Sequence, residues 1–329
     1  MRISAVATTL LSVSIFWSNC AFSDDRLTND ASRAELFALM TAFLKGAATT
    51  HEERQQYAFP SAFVFPDDAL WKNSTAQTDP RVDQVFGVDL SHHNAESCRC
   101  QINWALLSQQ QVRFAYLKAT QGVTGTDGFY LKYRTAARNL PAEHKIYVGA
   151  YHFLSADGSG EAQAAHFLKL VGEQLSEDDL PPTVDLEWDV RIGKDHKVIK
   201  GKDGRPYDFW TPLSGDEILR RVSAWLSLVR DKTGRRPFVY TNKVWWEQRI
   251  GSEEKIAALA GYGVWIADYS KSGRATEKPS VPNSAEWTLW QFGTNGTFKN
   301  GGVGQGRTVD TNVFNGSIDD FRRAAGIDK

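Results

Sequence analysis

From Val82 onward, apolar and polar positions along this chain fall into blocks that follow one order. Short apolar, β-branched runs cover Val85–Leu90, Phe114–Leu117, Ile146–Tyr151, Pro182–Leu186 and Phe238–Tyr240. Runs that are apolar on both faces read as buried parallel strands. Helical patterns lie between them at Asn103–Gln111, Phe129–Asn139, Gly160–Leu170 and Ser214–Lys232. In the last, Ile218, Val222, Trp225, Leu226 and Val229 recur at helical spacing. Ser214 with Glu217 makes a capping-box pattern at its start, and Gly234 marks its stop. Strands alternating with helices imply βα units on a parallel sheet.

The last third changes character. Val264–Ala267, Trp287–Gln291 and Asp310–Phe314 read as three more strands, but no helical pattern lies between Tyr269 and Phe314. About eight strands over roughly 240 residues is the usual size of a (β/α)-barrel, here with helices missing from its final part. An open doubly wound sheet is the structural rival. No Gly-rich phosphate fingerprint follows the first strand, so a nucleotide site has no support. Val190–Trp210 breaks the alternation. It is polar and charged, carries Gly193, Gly201, Gly204 and Pro206, and reads as an inserted hairpin or lid, or else as a solvated loop.

The chain before the barrel (81–329) divides in two. Met1–Ser23 has Arg2, an uncharged apolar stretch from Ile3 to Trp17 and small residues at Ala21 and Ser23, the pattern of a cleaved export signal. The stretch is shorter than the about 20 residues a membrane span needs. A secreted or periplasmic protein without a membrane span is expected. Residues 24–80 read as an N-terminal extension or linker, with a helix over Ala31–Gly46 that puts Leu36, Met40, Phe43 and Leu44 on one stripe. No chemistry is visible there. The formal charge of −1 becomes −2 once Arg2 leaves with the signal. That is no footprint for nucleic acid. Cys98 and Cys100 then remain, as a tight Cys-x-Cys ring or as two free thiols, and cannot supply the four ligands of a structural zinc site.

The candidate chemistry sits at the strand ends. In Thr183-Val184-Asp185-Leu186-Glu187 the two carboxylates are two apart, so strand alternation aims both at one face. Paired acids repel. Acid/base chemistry, a metal ion or an exposed edge would each account for them. Active sites of such barrels form at the C-terminal strand ends. There the other strands place Asp89, Lys118, Tyr151 with His152, Tyr240 with Asn242, Asp268 with Tyr269, Gln291, and Asp310 with Asn312. Together these describe an acidic cleft rimmed by aromatics. The 11 Trp residues could fill a core or floor a sugar-binding cleft. Acids with aromatics suit glycoside cleavage. Ser91 and Ser155 lie in no nucleophile elbow. His92, His93, His152 and His166 form no recognised ligand motif, so neither metal nor cofactor is expected.

These blocks resemble a known family. Phe86-Gly87-Val88-Asp89-Leu90-Ser91-His92-His93 with Ile102-Asn103-Trp104 is similar to the opening of glycoside hydrolase family 25, the Chalaropsis-type lysozymes. The likeness continues through Phe114–Gly122, Gly149–Phe153, Val184–Glu187, Tyr240–Asn242, Trp265–Tyr269, Trp290–Phe292 and Val309–Phe314. It implies a (β/α)5β3 barrel and an N-acetylmuramidase acting on peptidoglycan glycan strands. It further implies Glu187 as general acid/base, and Asp185 as nucleophile or as the group orienting the substrate acetamido. Asp89 and Asp310 would complete the acidic cluster. Tyr151, Tyr240, Trp290, Gln291 and Lys118 would contact substrate. Three departures stand out: the Cys-containing link Asn94–Gln101, Asn103 where Asp is usual, and the insertion after Trp188. A chitinase-like glycosidase would carry a further acid two before Asp185, where this chain has Thr183. A non-catalytic glycan-binding barrel would lack Asp185 or Glu187, and both are present.

Overall fold

A computed structural model describes residues 37, 40–41, 63–69, 84–96, 101–194, 198–204, 206–271, 277–303, 308–314 and 316–327. The export signal expected at Met1–Ser23, most of the helix expected over Ala31–Gly46, and Cys98 and Cys100 lie outside the described residues. The strands are β1 Val64–Phe65, β2 Val85–Leu90, β3 Val112–Gln121, β4 Gly125–Thr126 and β5 Tyr147–Phe153. They continue with β6 Thr183–Asp185, β7 Phe238–Asn242, β8 Gly263–Ala267, β9 Leu289–Phe298 and β10 Val309–Phe314.

Eight of these close into a barrel in the order β2, β3, β5, β6, β7, β8, β9, β10 and back to β2. From β2 to β9 every neighbour is parallel, and β10 runs antiparallel to both of its neighbours. The fold is thus mixed α/β around a closed barrel, and the open-sheet rival falls away. The helices are α1 His93–Glu96, α2 Trp104–Gln109, α3 Tyr130–Arg138, α4 Gly160–Val171, α5 Gly215–Thr233, α6 Lys243–Arg249 and α7 Ile318–Ala325. Among the described residues between β8 and β9, the only helical turn is the 3₁₀ segment Pro282–Ser284.

Local chemistry sets the helix ends. Ser214 Oγ accepts from Glu217 N at 3.2 Å, and Gly234 takes the left-handed φ of 68° that stops α5. Asn103, standing where a carboxylate is usual, caps α2 by accepting from Leu106 N at 3.1 Å. The sequence pattern does not reveal α6 or α7. α7 begins on a Ser317/Asp320 capping box, and its Phe321 stacks on Phe114 at 5.0 Å, near the starts of β3 and β5. It thereby covers the end of the barrel opposite the site.

Inside the barrel, glycine makes room for aromatic rings. A Cβ on Gly149 would lie 2.3 Å from the Tyr116 ring, and one on Gly87 2.4 Å from Phe114. The 24–80 segment does more than link. Its β1 pairs in parallel with β9 through Val64↔Thr297 and Phe65↔Phe298. Phe63 packs on Phe86 and Phe292 at 5.3 and 5.1 Å. Phe37 and Met40 are buried as well.

Candidate active site

Strand register decides which side chains meet. Directly paired residues share a face of the sheet. Asp89 is paired with Asp310 on one side and Tyr116 on the other. Tyr151 is paired with Lys118 and with Thr183. Asp185 is paired with Phe153 and Tyr240, and Gln291 with Ala267 and Asn312. Alternation carries these pairs onto the inner face of the barrel, toward the C-terminal ends of β2, β3, β5, β6, β7 and β9. Asp89, Lys118, Tyr151, Asp185, Tyr240 and Gln291 are all buried, while Asp310 is half-buried. The Lys118 ammonium lies 5.1 Å from the centre of the Phe153 ring.

A hydrogen-bond network fixes the Asp89 carboxylate. Gln291 Nε2 and Asn312 Nδ2 donate to its Oδ2 at 2.7 and 2.8 Å. Gln291 Oε1 in turn accepts from Tyr240 OH at 2.7 Å and from Tyr269 OH. Asn312 Oδ1 accepts from Trp265 Nε1 at 2.8 Å. Each amide is thus oriented from both ends. Flipping either would put a carbonyl oxygen against a carboxylate. Tyr269 and Asn312, which the sequence places at strand ends beside Asp268 and Asp310, are the residues that orient Gln291 and Asp89 here.

Glu187 is placed differently from the strand expectation. β6 ends at Asp185, and the chain then stays attached to β7 through Leu186 N, which donates to Tyr240 O at 2.9 Å. Glu187 lies beyond the strand, yet it is only 5% exposed against 2% for Asp185. Trp210 Nε1 donates to the Glu187 carbonyl at 2.9 Å, and so fastens its backbone from the far end of the insertion. The insertion doubles back twice, with antiparallel bridges Ile192↔Val198 and Lys200↔Pro206, and Val190↔Asp208 joins its two ends. Both ends are tied down at the base. The Asp189 carboxylate accepts from Ala156 N at 2.9 Å and from Arg191 at 2.7 and 3.1 Å. Asp208 accepts from Asp189 N at 2.9 Å, from Trp210 N at 3.2 Å and from Arg249 Nε. Burial pushes the Asp208 carboxyl up, and the Arg249 charge pulls it back down.

Other residues face away from the cleft. Trp290 neighbours the inward Gln291, so it points outward, where its ring packs against Trp287 and Phe292 at 6.2 and 6.0 Å. It is 1% exposed, and the structure does not bring it together with the acids. Asp268 organises the loop after β8, accepting from Ser270 N at 2.9 Å and Ser280 N at 2.7 Å. The histidines are occupied separately: His92 Nδ1 with Asp127 at 2.8 Å, and His166 Nε2 with the Gly125 carbonyl at 2.8 Å. His152 lies outside the barrel wall, between Thr120 Oγ1 at 2.7 Å and Gln163 Oε1 at 3.1 Å. Burial pushes it from its ordinary 6.5 down to about 3, with the Gln163 hydrogen bond acting against this. The folded state therefore holds His152 neutral where the unfolded chain takes up a proton. Stability from this group is complete above about pH 6.5 and is lost as pH falls toward 3. Unfolding free energy should drop on acidification by up to about 1.4 kcal/mol per pH unit from this one group. His152→Gln should flatten that slope in denaturant titrations, and an unchanged slope would refute the assignment.

One inner rim of the barrel gathers buried acids, an amide-oriented carboxylate and tyrosines, an arrangement suited to glycoside cleavage. The profile of Glycosyl hydrolases family 25 matches residues 88–301. The chain belongs to that family and is a glycoside hydrolase. Lysozyme M1 of Streptomyces globisporus is 30% identical over 235 residues, 71% of this chain and 68% of that protein. The N,O-diacetylmuramidase of Arthroderma benhamiae is 27% identical over 254 residues, 76% of this chain and 90% of its own. The crystal structure of the bacterial lysozyme from Streptomyces coelicolor superposes with a TM-score of 0.58 at 28% identity, covering 74% of this chain and 98% of that one.

Proposed function

We propose that this protein is a peptidoglycan muramidase, cleaving the β-1,4 bond between N-acetylmuramic acid and N-acetylglucosamine. The reading takes the barrel as the (β/α)5β3 form, preceded by an export signal at 1–23 and an extension at 24–80. It acts outside the cytoplasm, secreted or in the periplasm. No helix among the described residues is long and apolar enough to cross a membrane. The observation that carries the proposal is the burial of Asp185 and Glu187 together at one strand end, with Asp89 fixed across the barrel by two amide donors.

In this mechanism Glu187 gives its proton to the leaving glycosidic oxygen as positive charge builds on the sugar. Asp185, on the same rim, serves as nucleophile or orients the acetamido group that attacks in its place. Asp89, which accepts from Gln291 and Asn312, and Asp310 complete the acidic cluster around the reacting sugar. Tyr151, Tyr240, Gln291 and Lys118 line the space the sugar would enter. Trp290 supports the wall from outside instead.

The test is product analysis. Digestion of purified cell walls should release muropeptides with new muramic-acid reducing ends in mass spectrometry. New glucosamine reducing ends would point to the chitinase-like reading. Bound but uncut glycan would point to a binding barrel. Either result overturns the muramidase assignment.

A further inference from the structure

Phe37 belongs to the segment before the barrel and lies outside the stretch that matches the family, which begins at residue 88. Its ring meets Tyr269 edge-on, with centroids 5.1 Å apart and planes at 78°. Both rings are buried, at 6% and 3% exposure. Phe37 is helical, and Thr41 Oγ1 donates to its carbonyl at 2.7 Å, one turn on. Tyr269 gives its hydroxyl hydrogen to Gln291 Oε1, and Gln291 Nε2 gives a hydrogen to Asp89 at 2.7 Å.

We propose that Phe37 is a positioning residue of the catalytic centre, acting through Tyr269 and Gln291 on Asp89. This rests on Asp89 belonging to the centre proposed above. Tyr269 follows β8, so its position depends on what its ring packs against. The edge of Phe37 closes one side. Two phenols on Gln291 Oε1 leave the amide one orientation, with nitrogen toward the carboxylate. If the ring of Tyr269 can tilt, one phenol leaves Gln291, and the amide gains freedom to rotate. Asp89 then loses a fixed donor. The N-terminal extension thereby becomes part of the apparatus that sets charge in the cleft, rather than a tether.

A double-mutant cycle in the full-length protein tests this. Phe37→Leu keeps an apolar side chain while removing the flat edge. Tyr269→Phe keeps the ring while removing the hydroxyl. Each alone should lower kcat on cell walls on the order of tenfold, with KM changed less than about twofold, since a small displacement of a charged group has this size of effect. In the Tyr269→Phe background, Phe37→Leu should have little further effect on kcat. Multiplicative losses, or a Phe37→Leu variant with parental kcat, overturn the proposal. Hydrogen exchange of the Gln291 side-chain amide, followed by NMR, gives a readout independent of turnover. Exchange should be several-fold faster in Phe37→Leu, and unchanged exchange also overturns it. Product analysis of the parent reports on the muramidase reading alone, so the two failures are distinguishable.

Discussion

Glu187→Gln should abolish most cell-wall hydrolysis while leaving the fold intact. The side chains are nearly equal in size, and the backbone tie from Trp210 Nε1 to the Glu187 carbonyl does not involve the substituted atoms. The amide cannot release a proton to a leaving oxygen. Loss of a general acid costs about 10²–10⁴ in rate, and kcat should fall about 10³-fold. Stability should change by about 1 kcal/mol or less, because the change is isosteric and introduces no cavity. Turnover measured as new reducing ends, beside a melting curve, checks both halves. A variant that keeps near-parental turnover would show that the proton comes from another residue. Asp185→Asn should match it in severity if the aspartate is the nucleophile. A milder loss would favour the acetamido-orienting role.

Much of the barrel was legible because its strands are buried on both faces. β2 runs over Val85–Leu90, where the apolar pattern puts it. β9 was only half legible. It runs from Leu289 to Phe298 through Gly293 and Gly296, which carry no apolar signal. A Cβ on Gly296 would lie 2.3 Å from Thr311 Cγ2, so close approach of β10 explains that glycine. Helix α6 is short, and its two tryptophans read equally well as part of a loop. In the site, Asp89, Asp185, Tyr240 and Gln291 follow from strand ends and alternation. Trp290 and Gln291 are adjacent in β9, so alternation forbids both from facing the cleft. That constraint was present in the sequence. The position of Glu187 was not, because it depends on Trp210, 23 residues further on. The link from Asp89 to Gln291 spans 202 residues, and no local pattern encodes it. What the sequence shows is which residues are offered to the rim; which amide or ring orients them is a tertiary result.

The insertion after Trp188 shows how far that dependence extends. Its returning end is held by Asp208, a carboxylate with 1% side-chain exposure whose cation is Arg249 on α6. Asp208 also accepts from the backbone of Asp189 and Trp210, at the two ends of the insertion. Arg249→Met should keep the stem packed while leaving this buried carboxylate without its counter-charge. Removing one partner of a buried pair costs about 3–5 kcal/mol, and a loss of about 3 kcal/mol is expected at neutral pH. The sign of its pH dependence is fixed. Burial already holds the Asp208 carboxyl above its ordinary value, and losing Arg249 removes the largest opposing influence. A raised carboxyl supports folding fully below its unfolded value, and that support is lost as pH rises through the folded value. The variant's deficit should therefore shrink between pH 7 and pH 4, as Asp208 takes up a proton. Urea unfolding at the two pH values measures it, and an equal deficit at both would mean that lost packing, not charge, is responsible. Turnover should fall with stability. Once Asp208 loosens, Trp210 moves with it, and the Glu187 backbone carbonyl loses its indole donor.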